Sequence, residues 1–223
     1  MIYRRRLLAR QVTLSDQRSF ISEIANDYSR DRWQKKLSVR THLEPLLKKV
    51  AVNPLLEIGA GAGVVLSLLQ EMGYRAYGIE IVTTMIQAAK DRGVGGLIQA
   101  DGVAMPFADG SFGFATLWGN TLGPIPGKEN RIALLREARR VLAPDAPLAV
   151  TALNRTAGPR RLLLPLEFVF RYPREDGGRS EQHGYNRYYT IWQLKRELRE
   201  AGFRRIKRIS GMFEGTLVVL AKG

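Results

Sequence analysis

Between residues 55 and 153 the chain alternates short apolar runs with stretches whose apolar residues recur every three or four positions. Leu55-Leu56-Glu57-Ile58 reads as a buried strand, and Val64, Val65, Leu68, Leu69 and Met72 fall on one face of a helix. A second strand over Arg75 to Ile79 stops at Glu80, and Thr83 to Lys90 reads as a short helix with Gly93 as its stop. A third strand, Gly96 to Ala100, ends at Asp101. A turn-rich loop, Met105 to Phe112, then leads into a fourth strand over Phe114 to Trp118. Lys128 to Leu142 is amphipathic at helical spacing, and Leu148 to Leu153 is a fifth strand. Strands and helices alternating at this spacing predict a parallel sheet with right-handed crossovers.

The flanks follow another pattern. Ser15 to Val50 reads as helical, with Phe20, Ile21, Ile24 and Tyr28 on one face and Leu43, Leu46, Leu47 and Val50 on another, and Pro45 in a first turn or a kink. Residues 154–189 break the alternation with an apolar stretch, Leu162 to Phe170, and a polar, aromatic one, Gly177 to Tyr189. A helix over Thr190 to Ala201 follows. Two strands, Arg205 to Ser210 and Thr216 to Ala221, are joined by a glycine-containing turn and are expected to pair antiparallel. One domain is expected: a helical cap over 1–53, a ligand-binding core over 54–153, an insertion over 154–189 and a closing helix and hairpin over 190–223.

Charge changes this picture by its placement. The net charge of +14 divides into +7 over residues 1–50, −1 over 51–150 and +8 over 151–223, so the excess lies outside the core. Basic flanks either attract an anionic partner, RNA among them, or form an arginine-rich solvated shell. The absence of cysteine removes disulfides, thiolate metal sites and cysteine nucleophiles. No run of 18 apolar residues occurs, so neither a membrane span nor a signal peptide is expected, and the cytoplasm is the default compartment.

The chemistry concentrates where the strands end. After Glu57 and Ile58 comes Gly59-Ala60-Gly61-Ala62-Gly63, a turn whose backbone amides can approach a ligand closely. A dinucleotide fingerprint would need glycine at position 64, which is Val64, and Glu57 beside the loop repels a diphosphate while attracting an ammonium or sulfonium. Glu80, 17 residues after Gly63, stands where a carboxylate accepts hydrogen bonds from ribose hydroxyls, and Ile81 can cover one face of an adenine.

The glycine block, the Ala100-Asp101-Gly102 run and the later Pro106-Phe107-Ala108-Asp109-Gly110-Ser111-Phe112 together resemble the class I S-adenosylmethionine-dependent methyltransferases. The resemblance extends to the helix before the fifth strand, although Pro144-Asp145-Ala146 replaces the family's proline-glycine-glycine turn, and to the antiparallel last hairpin. It implies an α/β fold, a Rossmann-like three-layer sandwich around a seven-stranded, mostly parallel sheet with an antiparallel last strand. S-adenosyl-L-methionine would be the cofactor and S-adenosyl-L-homocysteine its product. By the same resemblance Glu57, Gly59, Ala60, Gly61 and Gly63 hold the methionine end, and Glu80 and Ile81 the adenosine. Asp101 and Gly102 contact the adenine, and Trp118, Gly119 and Asn120 face the sulfonium and the acceptor.

The acceptor is less marked. The fourth strand ends Leu117-Trp118-Gly119-Asn120-Thr121, without the prolines of amino-directed DNA enzymes, and neither the paired glutamates of protein-arginine enzymes nor metal-binding carboxylates are evident. A small-molecule acceptor is the leading expectation; an RNA acceptor, a non-catalytic cofactor-binding module and a nicotinamide-dependent oxidoreductase are the alternatives. In the 154–189 insertion, the expected acceptor lid, His183 and Tyr188 are the candidate catalytic residues, with His183 a potential general base near neutral pH. The competing reading makes them a hydrogen-bonded loop histidine among packing tyrosines. Tyr28 and Trp33 read more simply as packing residues, and His42 has no evident partner.

Overall fold

A computed structural model describes residues 12–155, 178–180, 184–209 and 215–223. Two helices open the described chain, α1 (Leu14–Gln34) and α2 (Lys36–Val50). The alternating core follows as β1 (Leu55–Ile58), α3 (Val64–Glu71), β2 (Ala76–Glu80), α4 (Thr83–Lys90), β3 (Leu97–Gln99), β4 (Phe114–Leu117), α5 (Lys128–Val141) and β5 (Leu148–Leu153). A two-stranded hairpin, β6 (Gly178–Ser180) with β7 (Gly184–Asn186), precedes α6 (Ile191–Glu200), β8 (Arg205–Ile209) and β9 (Thr216–Lys222).

Seven strands form one sheet in the order β3-β2-β1-β4-β5-β9-β8. The first five are parallel, and β9 runs antiparallel to both β5 and β8, as the two final strands had led us to expect. Strand order reverses between β1 and β4, and the loops after these two strands part there to leave a crevice at their carboxyl ends.

The strands are apolar on both faces because helices cover both. Leu55, Phe114, Ala149 and Val218 pack with Leu43 and Leu47 of α2 and Leu66 and Leu69 of α3. Their neighbours Leu56, Ala115, Leu148, Val150 and Val219 point the other way, onto Leu134, Leu135 and Ala138 of α5 and Leu194 and Leu198 of α6. This alternation explains why the core strands read as continuous apolar runs. At the edge, β8 turns Arg205, Lys207 and Arg208 to solvent, which discourages further strand pairing.

Residues 15–50 form two helices, broken at Lys35. A capping box fixes the start of α1: Thr13 Oγ1 accepts from the Asp16 amide at 3.1 Å and Asp16 Oδ2 from the Thr13 amide at 3.0 Å. Pro45 lies deep inside α2 and not in a first turn, because that helix already begins at Lys36. His42, half-buried on α2, has a partner after all, its Nδ1 lying 2.7 Å from the Ser38 carbonyl one turn earlier.

The segment after β5 leaves and returns through a narrow neck. Tyr189 N–H donates to the Leu153 carbonyl at 2.8 Å, and Arg155 N–H to the Tyr189 carbonyl at 2.9 Å. Below the neck lies a buried ionic cluster that periodicity does not reveal. Arg131 of α5 makes a two-pronged contact with Glu197 of α6, at 2.9 and 3.1 Å, and both side chains are shielded from solvent. Tyr189 Oη donates to the same carboxylate at 2.8 Å, and Arg131 Nη1 to the Ile125 carbonyl at 3.0 Å. Burial and the adjoining Glu197 charge push the Tyr189 phenol well above its ordinary range, so it stays a donor.

Among the described residues no helix is long and apolar enough to cross a membrane. Removing one partner of a buried ion pair strands the other. Arg131→Met is therefore expected to cost about 3–5 kcal/mol in urea unfolding, and Arg131→Met combined with Glu197→Leu distinctly less than either change alone.

Candidate functional site

At the β1/β4 reversal a cavity of about 310 Å³ opens between the strand ends and α1. Of the residues the sequence nominated for the cofactor, Glu57, Gly59, Ala60, Gly61, Glu80, Ile81, Asp101, Gly102, Trp118, Gly119 and Asn120 all line it. Gly63 does not. It begins α3 in the left-handed region at φ 78°, and a Cβ there would press on Val94 and Ala89 at 3.0–3.2 Å, so its role is to seat the helix. Tyr188 is half-buried outside the residues that line the cavity. His183 lies outside the described residues.

The glycine loop is shaped for a close approach. Gly59 has φ 70°, and a side chain there would fall on the Thr121 methyl, while a Cβ on Gly61 would meet nothing within 4 Å. That open space beside Gly61 faces the ligand side of the loop. Glu80 braces the same loop from the end of β2: its Oε2 accepts from the Gly61 amide at 2.8 Å, and Oε1 from the amides of Ile81 and Val82 at 2.8 and 2.9 Å. Burial raises the Glu80 pKa, and these three amides counter that rise.

Glu57 is the most strained electrostatic element of the site. It is 1% exposed inside β1, and its Oε2 has no hydrogen-bond partner among the described residues. Burial holds its pKa well above the ordinary carboxylate value, opposed by the nearby Arg32 charge and a hydrogen bond from the Trp118 backbone. An orphaned buried carboxylate oxygen beside an open glycine cradle is what an ammonium group fits. The residues present therefore suit the methionine end of an S-adenosylmethionine cofactor.

The fourth strand runs out into a strained corner. Gly119 and Asn120 both have positive φ, 78° and 71°, and their amides converge on Thr151 Oγ1 at 2.8 and 3.2 Å. A left-handed asparagine costs energy that surrounding contacts must hold in place. Asn120 Oδ1 accepts from the Leu153 amide at 3.1 Å, and its Nδ2 donates to Asn186 Oδ1 at 2.8 Å.

The far wall is the helical cap, whose lining residues sequence reasoning did not name for the site. Leu14, Gln17, Arg18, Ile21, Ile24, Tyr28 and Arg32 of α1 all face the cavity. Two tethers hold this helix across the opening. Arg18 pairs with Asp101 at 2.8 Å, and Gln17 exchanges hydrogen bonds with both backbone groups of Tyr185 at 2.9 and 3.2 Å. Trp33 Nε1 donates to the Ala62 carbonyl at 3.0 Å, fixing the other end of α1 to the glycine loop. Tyr28, read as a packing residue, both packs and lines the cavity. Arg32 reaches the surface of Gly119, where any side chain would collide with its guanidinium. The shared face of Phe20, Ile21, Ile24 and Tyr28 was the available signal; no periodicity marks which arginines of a polar helix turn inward.

The raised Glu57 pKa sets a pH dependence with a definite sign. The folded state binds a proton more tightly than the unfolded chain, so burial of Glu57 lowers stability as pH rises from the ordinary carboxylate range through its raised folded pKa. Glu57→Gln is expected to raise the neutral-pH unfolding midpoint of the ligand-free protein and to converge on wild type in acid. Thermal unfolding at several pH values checks this.

Comparison with known proteins agrees with the geometry. Residues 56–150 match the family model described as a methyltransferase domain. The demethylmenaquinone methyltransferase of Corynebacterium urealyticum is 28% identical over 155 residues, an alignment covering 68% of this chain and 61% of the relative. This chain thus matches somewhat under two thirds of that relative's length. Among solved structures, a Thermotoga maritima S-adenosylmethionine-dependent methyltransferase, described as a possible histamine N-methyltransferase, superposes with a TM-score of 0.65. It has 21% identity, with 91% of this chain and 97% of that one covered. A Bacteroides fragilis methyltransferase in complex with S-adenosyl-L-homocysteine gives a TM-score of 0.58 at 19% identity, covering 81% and 76% of the two chains. The family model thus matches the segment from β1 to β5, and over nearly its whole length the chain shares the fold of these S-adenosylmethionine-dependent methyltransferases.

Proposed function

We propose that this protein transfers a methyl group from S-adenosyl-L-methionine to a small-molecule acceptor, leaving S-adenosyl-L-homocysteine. One observation carries the reading: a single cavity joins the acidic strand ends and glycine loop to a wall on α1 that is apolar at Leu14, Phe20, Ile21 and Ile24, its two arginines, Arg18 and Arg32, standing near Asp101 and Glu57. When bound, the cofactor supplies an electrophilic methyl group on a sulfonium, and transfer is an in-line displacement that disperses charge.

The chain's own task is alignment and exclusion of water. Glu57 Oε2, buried and unpartnered among the described residues, accepts from the cofactor's ammonium. Arg32, against Gly119, neutralises the neighbouring carboxylate. Glu80 spends part of its capacity on three amides and keeps the remaining lone pairs for the ribose hydroxyls. Asp101 would accept from the adenine amino group on a lone pair that Arg18 leaves free. Leu14, Ile21 and Ile24 keep the transfer dry. His183 and Tyr188 remain proposals for a general base only where the acceptor must lose a proton.

The relative from Corynebacterium urealyticum, named for a small-molecule substrate, supports this acceptor class. An RNA acceptor finds less support. The exposed Arg205, Lys207 and Arg208 sit on β8, three strands beyond β4 and so roughly 14 Å from the cavity edge by strand spacing.

Calorimetry with S-adenosyl-L-homocysteine tests the cofactor site. Glu80→Ala and Asp101→Asn are each expected to weaken binding by about 10-fold to 150-fold, as loss of a hydrogen bond to a charged group implies. Unchanged affinity in both would refute the site. In filter binding with total RNA at low salt, no retention is expected; retention that falls steeply as salt rises would favour the RNA reading.

A further inference from the structure

The loop after β4 and the β7 strand meet through two asparagines, and their hydrogen-bond polarity can be assigned without ambiguity. Asn120 receives the Leu153 amide N–H at 3.1 Å, and a backbone amide can only donate, so the receiving atom of Asn120 must be its oxygen. The Asn120 nitrogen is then the atom 2.8 Å from Asn186, and Asn186 must present its own oxygen in return. This leaves the amide nitrogen of Asn186, a residue that lines the cavity, with two hydrogens and without a partner among the described residues.

Three features hold that amide in place. Gly123 sits so close beneath both side chains that any Cβ would collide with them. The Arg187 amide donates to the Gly123 carbonyl at 2.8 Å, fixing the end of β7 to the same loop. Tyr185, one residue before Asn186, is clamped on both its backbone groups by Gln17 of α1. An amide so mounted loses little freedom when it binds a ligand, which makes its hydrogen bond selective.

The surroundings define what it would bind. Among the described residues the charged side chains lining the cavity are Glu57, Glu80 and Asp101, assigned above to the cofactor, with Arg32 set near Glu57 and Arg18 against Asp101. Of the other neutral polar side chains lining the cavity, Gln17 is committed to the Tyr185 backbone, Thr121 Oγ1 donates to the Trp118 carbonyl at 3.0 Å and Asn130 Nδ2 to the Pro126 carbonyl at 2.8 Å, while Tyr28 stands on α1. Around them stand Leu14, Ile21, Ile24, Pro124 and Ile125. With both arginines and all three acids set against one another or the cofactor, a charged acceptor would lose its hydration here with no uncommitted countercharge among the described residues.

We propose that Asn186 is a specificity-determining residue, whose side-chain N–H2 donates to an uncharged oxygen on an otherwise apolar acceptor. This rests on the methyl-transfer reading above and names the acceptor class that reading leaves open. A site built to donate one hydrogen bond discriminates against molecules that lack the receiving atom.

The test uses the full chain saturated with S-adenosyl-L-homocysteine and two probes of similar shape, acetophenone with a carbonyl oxygen and ethylbenzene without one, titrated by ligand-observed NMR. Asn186→Asp keeps an oxygen for Asn120 but turns the donor into an acceptor, and Asn186→Ser shortens the side chain away from the ligand. Each variant is expected to bind acetophenone about fivefold more weakly than wild type, the loss of one neutral hydrogen bond, with ethylbenzene and S-adenosyl-L-homocysteine affinities within twofold. Benzoate and benzylammonium are expected not to bind the wild type. Equal losses for both neutral probes, unchanged acetophenone affinity, a loss of S-adenosyl-L-homocysteine affinity in both variants, or preferred binding of a charged probe would each overturn the assignment. So would a wild type that holds S-adenosyl-L-homocysteine and neither neutral probe, an outcome that leaves the cofactor reading intact. A wild type that fails to bind S-adenosyl-L-homocysteine overturns the methyl-transfer reading, and this inference with it.

Discussion

Glu57 lies inside β1 with one oxygen unpartnered, and a buried carboxylate costs several kcal/mol unless a positive group compensates it. Arg32 supplies part of that compensation from the opposite wall. The arrangement couples β1 to α1 across the strand ends, where Arg18 and Trp33 also tether the helix. Gly119, at φ 78° and against the Arg32 guanidinium, stands where both backbone and neighbour disfavour a side chain. The ligand-free protein thus keeps a polar defect that an ammonium group would repair.

The second constraint is the reversal of strand order between β1 and β4. It separates two loops that would otherwise pack together, and it puts the glycine cradle on one side and the Gly119–Asn120 corner on the other. Both corners use left-handed backbone, and each is held by a hydroxyl or a carboxylate from a neighbouring strand: Thr151 for one, Glu80 for the other. Side chains that secure the backbone and side chains that meet the ligand are therefore partly the same, which links stability to recognition at these positions.

Much of this was readable from the chain. The five core strands, the acids at their ends and the glycine loop announced themselves because strand-end chemistry is local: Glu57, Glu80 and Asp101 each follow directly on an apolar run. The final hairpin was legible for the same reason. What escaped were contacts between residues distant in sequence. Arg131 and Glu197 sit on two helices with unremarkable polar faces and meet only because both pack on one side of the sheet. Gly63 carries the family spacing yet serves helix packing, a distinction that needs the positions of Val94 and Ala89. Asn186 and the inward arginines of α1 had no periodic signature, since one asparagine or arginine looks like another until the tertiary fold aims it.

The neck at Leu153, Arg155 and Tyr189 fixes where the inserted segment departs and where it returns. Closing a longer loop between fixed ends adds only about 0.6 kcal/mol per doubling of its length. A change in the number of residues between these clamps therefore carries a small thermodynamic cost and leaves the register of the sheet untouched. Divergence among relatives with this architecture should accumulate in that stretch first.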